Sequence, residues 1–142
     1  MALAWHAFTG TNARPEVCRE ALENGMDRIQ FSQLVDEALI RLPRTFRERL
    51  ENIAIIVEDF PDEELQSEFE GLLLGLFRGI PKTRQSVSWP GLPAQIFLYQ
   101  KNIEAICRND ESKISKQIEK TLKHEIGHYF GLSERDLRRR GY

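Results

Sequence analysis

Histidine, cysteine and methionine are all scarce in this chain, and each shortage removes a class of explanation. Among 142 residues there are three His, two Cys and two Met. Cys18 and Cys107 allow one disulfide at most, so no disulfide framework can hold the fold together. No basic n-region with a long apolar stretch opens the sequence. The reading is therefore no secretory signal, with two free thiols in a reducing cytoplasm. Long apolar runs are missing too. The longest, Gly71 to Phe77, is far short of the roughly 20 residues that cross a bilayer as a helix. Nor is there an excess of positive charge: a net charge of −2 and a pI near 6.0 leave no electrostatic footprint for nucleic acid. No repeat or low-complexity tract appears.

What remains is the composition of one soluble globular domain, 41% apolar and 30% charged over a length that supports a single core. Residues 1–25 read as separate from the rest, an added leader in which Asn12 could cap a short helix ending near Gly25. From Met26 onward the patterning improves. Phe31, Leu34, Val35, Ala38, Leu39 and Leu42 recur at helical spacing, which predicts a helix over 31–42, and Pro43 separates it from a shorter one reaching about Leu50. Ile53 to Val57 is a continuous β-branched run and predicts a buried strand. A helical turn or two is expected after Pro61, then a strand over 72–78, for which periodicity also allows a helix continuing from Glu63, and a strand over 95–99, with Gly79 to Pro93 as loop or irregular edge structure. Helices are expected over 102–107 and 112–130. Strands in the middle with helices at both ends make an α+β domain with a small central sheet.

Two of the three histidines fall in one run, His124-Glu125-Ile126-Gly127-His128. Four residues is slightly more than one helical turn, so both imidazoles leave the same face about 40° apart. That spacing suits two nitrogen ligands of one zinc ion, and Glu125 has the chemistry of a general base on an activated water. The long helix carries an apolar stripe, Ile114, Ile118, Leu122, Ile126 and Phe130. At 100° per residue, His124 and His128 lie well over 100° from its centre, so the core side and the histidine side are different faces.

A catalytic zinc takes three protein ligands and leaves a fourth position open. The remaining histidine is His6, in the leader. Glu134 and Asp136 are the nearby acids. Glu134 is favoured, because Gly131 can adopt positive φ, reverse the chain after the helix and return that position toward the histidines. The run then reads HExxHxxGxxE. The bland account of Glu134 is an acid near the start of a last helix, Ser133 to Arg139, stabilised by its dipole.

At this point the sequence resembles the small bacterial zincin-like metallopeptidases with a minimal zincin fold. The resemblance runs over residues 26–142 and rests on four co-linear stretches: LPRTFRERLENIAIIVED, LLGLFRGIPKT, LPAQIFLYQKNIEAIC and LKHEIGHYFGLSERDL. It implies zinc held by His124, His128 and Glu134, with Glu125 as the catalytic acid/base. Two features differ from the larger metzincins: the third ligand is acidic, and no methionine follows the motif to make a Met-turn.

The expected function is a zinc-dependent peptidase acting on a peptide or protein, with no nucleic acid or membrane partner. Zincin substrates lie along an exposed strand edge, here expected at Gln95–Tyr99 or Ser86–Trp89. Tyr129 and Tyr142 both remain as oxyanion donors, and Trp89 as the floor of a side-chain pocket. The rival is a binding or interaction domain with a vestigial, non-hydrolytic site, for which Cys107 is the one soft candidate as a fourth ligand. Arg135, Arg138, Arg139 and Arg140 read as a solvated helix end. The leader is expected to be dispensable for folding and metal binding, although lying over the cleft it could present His6 to the open zinc position.

Overall fold

The computed structural model describes residues 2–8, 23–48, 50, 53–79 and 93–142. Caps and apolar spacing set its helices. α1 (Arg28–Arg41) starts before the expected residue 31 because Asp27 caps it, accepting from the Gln30 main-chain N–H at 2.8 Å while the Gln30 side chain returns to the Asp27 N–H. It buries Phe31, Val35 and Ala38 and ends at Leu42, before Pro43. α2 (Arg44–Arg47) is one turn, and α3 (Glu63–Ser67) is capped by Asp62. α4 (Gln100–Cys107) leads into the long α5 (Glu111–Tyr129), and α6 (Glu134–Arg139) closes the chain.

Four strands, β1 (Ala2–Phe8), β2 (Ile53–Glu58), β3 (Leu72–Gly79) and β4 (Ala94–Tyr99), form one mixed sheet in the order β1-β3-β4-β2. β3 runs antiparallel to both its neighbours, whereas β2 and β4 are parallel. The three strands expected from patterning are present. β1 was not anticipated: an alanine-rich stretch carries little strand signal of its own, and its ladder to β3 is a long-range pairing. The sheet order also corrects the expected substrate edge. β4 lies between β3 and β2, so Gln95–Tyr99 is interior to the sheet. Ser86–Trp89, and the helix expected from Asn12, fall outside the described residues, apart from the last turn before Gly25.

α5 lies across one face of the sheet over β1, β3 and β4, with α1 and α4 packed beside it. Ile114, Ile118, Leu122 and Ile126 are almost completely buried there, in one cluster with Phe31, Val35, Leu74, Phe77, Ile96 and Leu98. Each such side chain contributes at most about 1.5–3 kcal/mol by leaving water. The other face carries a smaller cluster, Leu73, Leu76, Phe97 and Tyr99, under Leu65 and Phe69. A polar network ties the start of α1 to the ends of β2 and β4. Arg28 donates to Gln100 Oε1 at 2.9 Å, and Gln100 Nε2 donates to the Met26 carbonyl and to the buried Glu104, both at 2.9 Å.

The approach of α5 to the sheet is closest at Gly75. A Cβ built there would lie 2.7 Å from Thr121 Cγ2, 3.1 Å from the Phe97 carbonyl oxygen and 3.4 Å from Glu125 Cγ. Glycine is therefore a spacing requirement at the middle of β3. Gly75→Ala is expected to destabilise the fold by about 1–3 kcal/mol through overpacking. Thr121→Ser removes the closer obstacle but keeps the hydroxyl that accepts from Gln117, and in the double variant it should restore part of the loss. Denaturant melts check this, and an unchanged midpoint in Gly75→Ala would contradict the close approach.

Candidate metal centre

The C-terminal end of α5 is built to turn back on itself. Phe130 is the last helical cap, Gly131 follows at φ 82°, and two reversed hydrogen bonds close the turn. Gly131 N donates to the His128 carbonyl at 2.9 Å and Leu132 N to the Gly127 carbonyl at 3.0 Å, the pairing of a Schellman motif. Ser133 then caps α6 in a reciprocal box with Asp136, which places Glu134 at its first helical position. Gly127 completes the fit. A Cβ at that position would run into Leu137 Cδ2, so the smallest residue between the two histidines lets α6 seat against α5.

This turn brings Glu134 back onto the histidine face. Glu134 Oε1 lies 3.0 Å from His124 Nε2 and 2.8 Å from His128 Nε2, and the ring centroids are 4.9 Å apart. His124, His128 and Glu134 offer one ligand atom each, all within 4.8 Å of one another. The two imidazoles are buried, at 3% and 8% exposure, and Glu134 is partly covered. The histidine side of α5 is thus as enclosed as its apolar stripe, although it is a different face. Asp136, the other acid considered, is committed to the Ser133 cap, accepting from its hydroxyl at 2.7 Å and its N–H at 3.1 Å. Cys107 sits in the apolar core, where burial pushes its thiol up to about 11, and it is absent from the His–Glu group.

The donor set itself calls for a cation. His128 Nδ1 lies 3.0 Å from the Leu132 carbonyl oxygen, which can only accept, so Nδ1 carries the proton. A neutral imidazole then presents a bare lone pair at Nε2, 2.8 Å from a carboxylate oxygen that is also an acceptor. Two acceptors at that distance repel unless a proton or a metal ion lies between them. Burial, reinforced by His124, lowers the His128 pKa although Glu134 pulls the other way, so the imidazolium is disfavoured. Burial works to raise the Glu134 pKa, but its contacts with both histidines prevail and lower it, keeping the carboxylate charged. Ligands of a tetrahedral zinc with bonds of about 2.0–2.2 Å stand roughly 3.4 Å apart, close to the spacing seen here. The residues present fit a zinc ion.

Glu125 stands beside this group and differs from it. Its side chain is fully buried and neither carboxylate oxygen reaches a hydrogen-bond partner. Burial raises its pKa well above the ordinary range and the nearby Glu134 charge raises it further. The Phe77 main-chain N–H opposes this weakly, without meeting hydrogen-bond geometry. An unpartnered buried carboxyl costs free energy that a packing residue would not. Of the two tyrosines considered, Tyr129 is buried against Phe77 and Phe130, and Tyr142 packs edge-on to Phe46 with Lys123 6.0 Å from its ring centroid. Gly75 and the Leu132 carbonyl were not anticipated as site residues. Only the close approach of two elements, and the turn geometry, reveal them.

Gly127→Ala is expected to push α6 away from α5 through the Leu137 contact and so displace Glu134. Zinc affinity should fall about 10–100-fold, as for loss of an orienting residue, with the helix content retained. Competition with a fluorescent chelator measures this, and wild-type affinity would contradict the role assigned to Gly127.

A family model described as zincin-like metallopeptidase matches residues 50–142, about two thirds of the chain. The match begins later than residue 26, from which the resemblance was read, and contains β2 to β4 and α3 to α6. No curated protein matches the sequence. The matched range includes the helix, the turn and the acidic residue whose side chains converge above, and by it the chain belongs to the zincin-like metallopeptidase family.

Proposed function

We propose that the protein is a zinc-dependent peptidase, with His124, His128 and Glu134 as zinc ligands and Glu125 as the general base and acid. The observation that carries this reading is the meeting of Glu134 Oε1 with both Nε2 atoms while His128 Nδ1 is held by the Leu132 carbonyl. Bound zinc supplies a lowered pKa for water and a positive charge for the scissile carbonyl oxygen.

The chain's own residues supply the remainder. The Leu132 carbonyl fixes the His128 ring and tautomer, leaving Nε2 for the ion. Glu125, one residue from His124 and unpartnered, can take a proton from the attacking water and deliver it to the leaving amine. Gly75 and Thr121 hold the carboxyl close to β3, in a site from which water is largely excluded. The substrate class is an extended peptide or unfolded protein segment, recognised through its main chain. The catalytic domain comprises residues 26–142, since α1 lies before the matched range yet buries Phe31, Val35 and Ala38 in the same core as α5. A reducing cytoplasmic setting suits the free, buried Cys107. Among the described residues no helix is long and apolar enough to cross a membrane.

Two sets of variants test the assignments separately. His128→Ala and Glu134→Ala should each weaken zinc binding by more than the roughly 10–100-fold typical of an outer-shell loss, and Asp136→Ala should leave it within that range. Retention of zinc by Glu134→Ala, or its loss in Asp136→Ala alone, would overturn the third ligand. Glu125→Gln should keep zinc at wild-type stoichiometry and lower kcat on an unfolded protein by at least about 10²-fold. Unchanged turnover in that variant would remove Glu125 from the reaction.

A further inference from the structure

β3 packs at Gly75 beside Glu125, and its edge away from β4 is covered by the chain's own β1. β3 has two neighbours, β4 on one side and β1 on the other. In the β1–β3 register His6 stands opposite Gly75, where an added Cβ would lie 2.7 Å from Thr121 Cγ2 and 3.4 Å from Glu125 Cγ. The main chain of β1 therefore passes one strand spacing, about 4.5–5.5 Å between Cα atoms, from the part of β3 that packs beside Glu125. α5 packs over β1 as well as over β3 and β4, so β1 runs beneath the helix that carries the site. An extended peptide adding to β3 antiparallel, by main-chain hydrogen bonds, would need this same place.

We propose that Ala2–Phe8 is an intramolecular plug, occupying the position of an extended peptide substrate on β3 and holding the site closed until it is displaced. The proposal rests on the peptide-hydrolysing reading above and adds a means of controlling it. Two observations favour a strand that can leave. Among the described residues β1 is the outermost strand, and its ladder is broken beside the site. One step from His6 to Ala7 spans two residues on β3, Gly75 to Leu73, which leaves Leu74 as a bulge. Tethering supplies β1 to the edge at a millimolar effective concentration, and a substrate's apparent affinity falls by the fraction of molecules with the edge open.

The test uses the zinc-loaded full chain and its Ala4→Pro/Trp5→Pro variant. Main-chain N–H groups alternate in direction along a strand, so adjacent prolines must remove one that points at β3. Cleavage of a fluorescein-labelled unfolded protein should rise by at least about tenfold in kcat/KM in the variant. A labelled peptide of residues 2–8 should bind the variant and not the parent, read by fluorescence anisotropy with and without zinc. Peptide binding without cleavage by either form would count against hydrolysis while supporting the exchange of strands. Equal cleavage by both forms, or no peptide binding to the folded variant, would overturn the plug. Collapse of the variant would make β1 a structural strand and overturn it as well. Hydrogen exchange on the unaltered chain gives an independent reading: β1 amides should open well before those of β4, and exchange only through global unfolding would contradict displacement.

Discussion

A Cβ on Gly75 would stand 2.7 Å from the Thr121 methyl and 3.1 Å from the Phe97 carbonyl oxygen, so α5 can reach this depth only over a glycine. The rest of the molecule is arranged around that contact. The apolar stripe of α5 draws the helix onto the sheet, and the hole at Gly75 sets how far it sinks. Six residues beyond Thr121 on the same helix, Gly127 receives Leu137 and so sets how closely α6 returns. Between these two absences of side chain lies Glu125, fully buried, with His124 and His128 on either side of it in sequence. A single helix thus carries an apolar face against the sheet and, on another face, the buried cluster of His124, Glu125 and His128. The two glycines fix the distances of its neighbours on each side.

Burial of polar groups on the second face has an energetic consequence. His124, Glu125 and His128 all lie below one tenth exposure, and Glu134 adds a charge to the same volume. Without a cation the set is frustrated: two acceptors face each other at 2.8 Å, and Glu125 is driven toward its protonated form. A divalent ion relieves both problems, since it satisfies the lone pairs and offsets the negative charge near Glu125. The same close packing of acceptors would favour a bound cation, and an ion held there would have the buried Glu125 carboxyl as a neighbour.

Most of the architecture was legible in the sequence, for reasons that differ by element. α5 could be read closely because its apolar stripe recurs from Ile114 to Phe130 and Gly131 ends it, a strong local signal. Glu134 could be chosen over Asp136 because a glycine after the second histidine permits the turn that the Schellman bonds then make. The sheet's content was partly visible and its order was not. β4 looked like an edge from its position in the chain, yet strand order is settled by long-range pairing that period-two patterning does not encode. β1 escaped for the same reason, because its pairing with β3 joins residues some seventy positions apart. Gly75 lay unremarked inside the apolar run Gly71 to Phe77, and only the arrival of α5 gives it a purpose.

X-ray absorption at the zinc edge of the reconstituted full chain addresses the central claim most directly. Two imidazole nitrogens and one carboxylate oxygen should appear at about 2.0–2.2 Å, with a further light atom and no sulfur. A sulfur shell near 2.3 Å would place a cysteine in the first coordination sphere, and a spectrum without imidazole scattering would place the ion elsewhere. Either result would contradict a centre built from His124, His128 and Glu134.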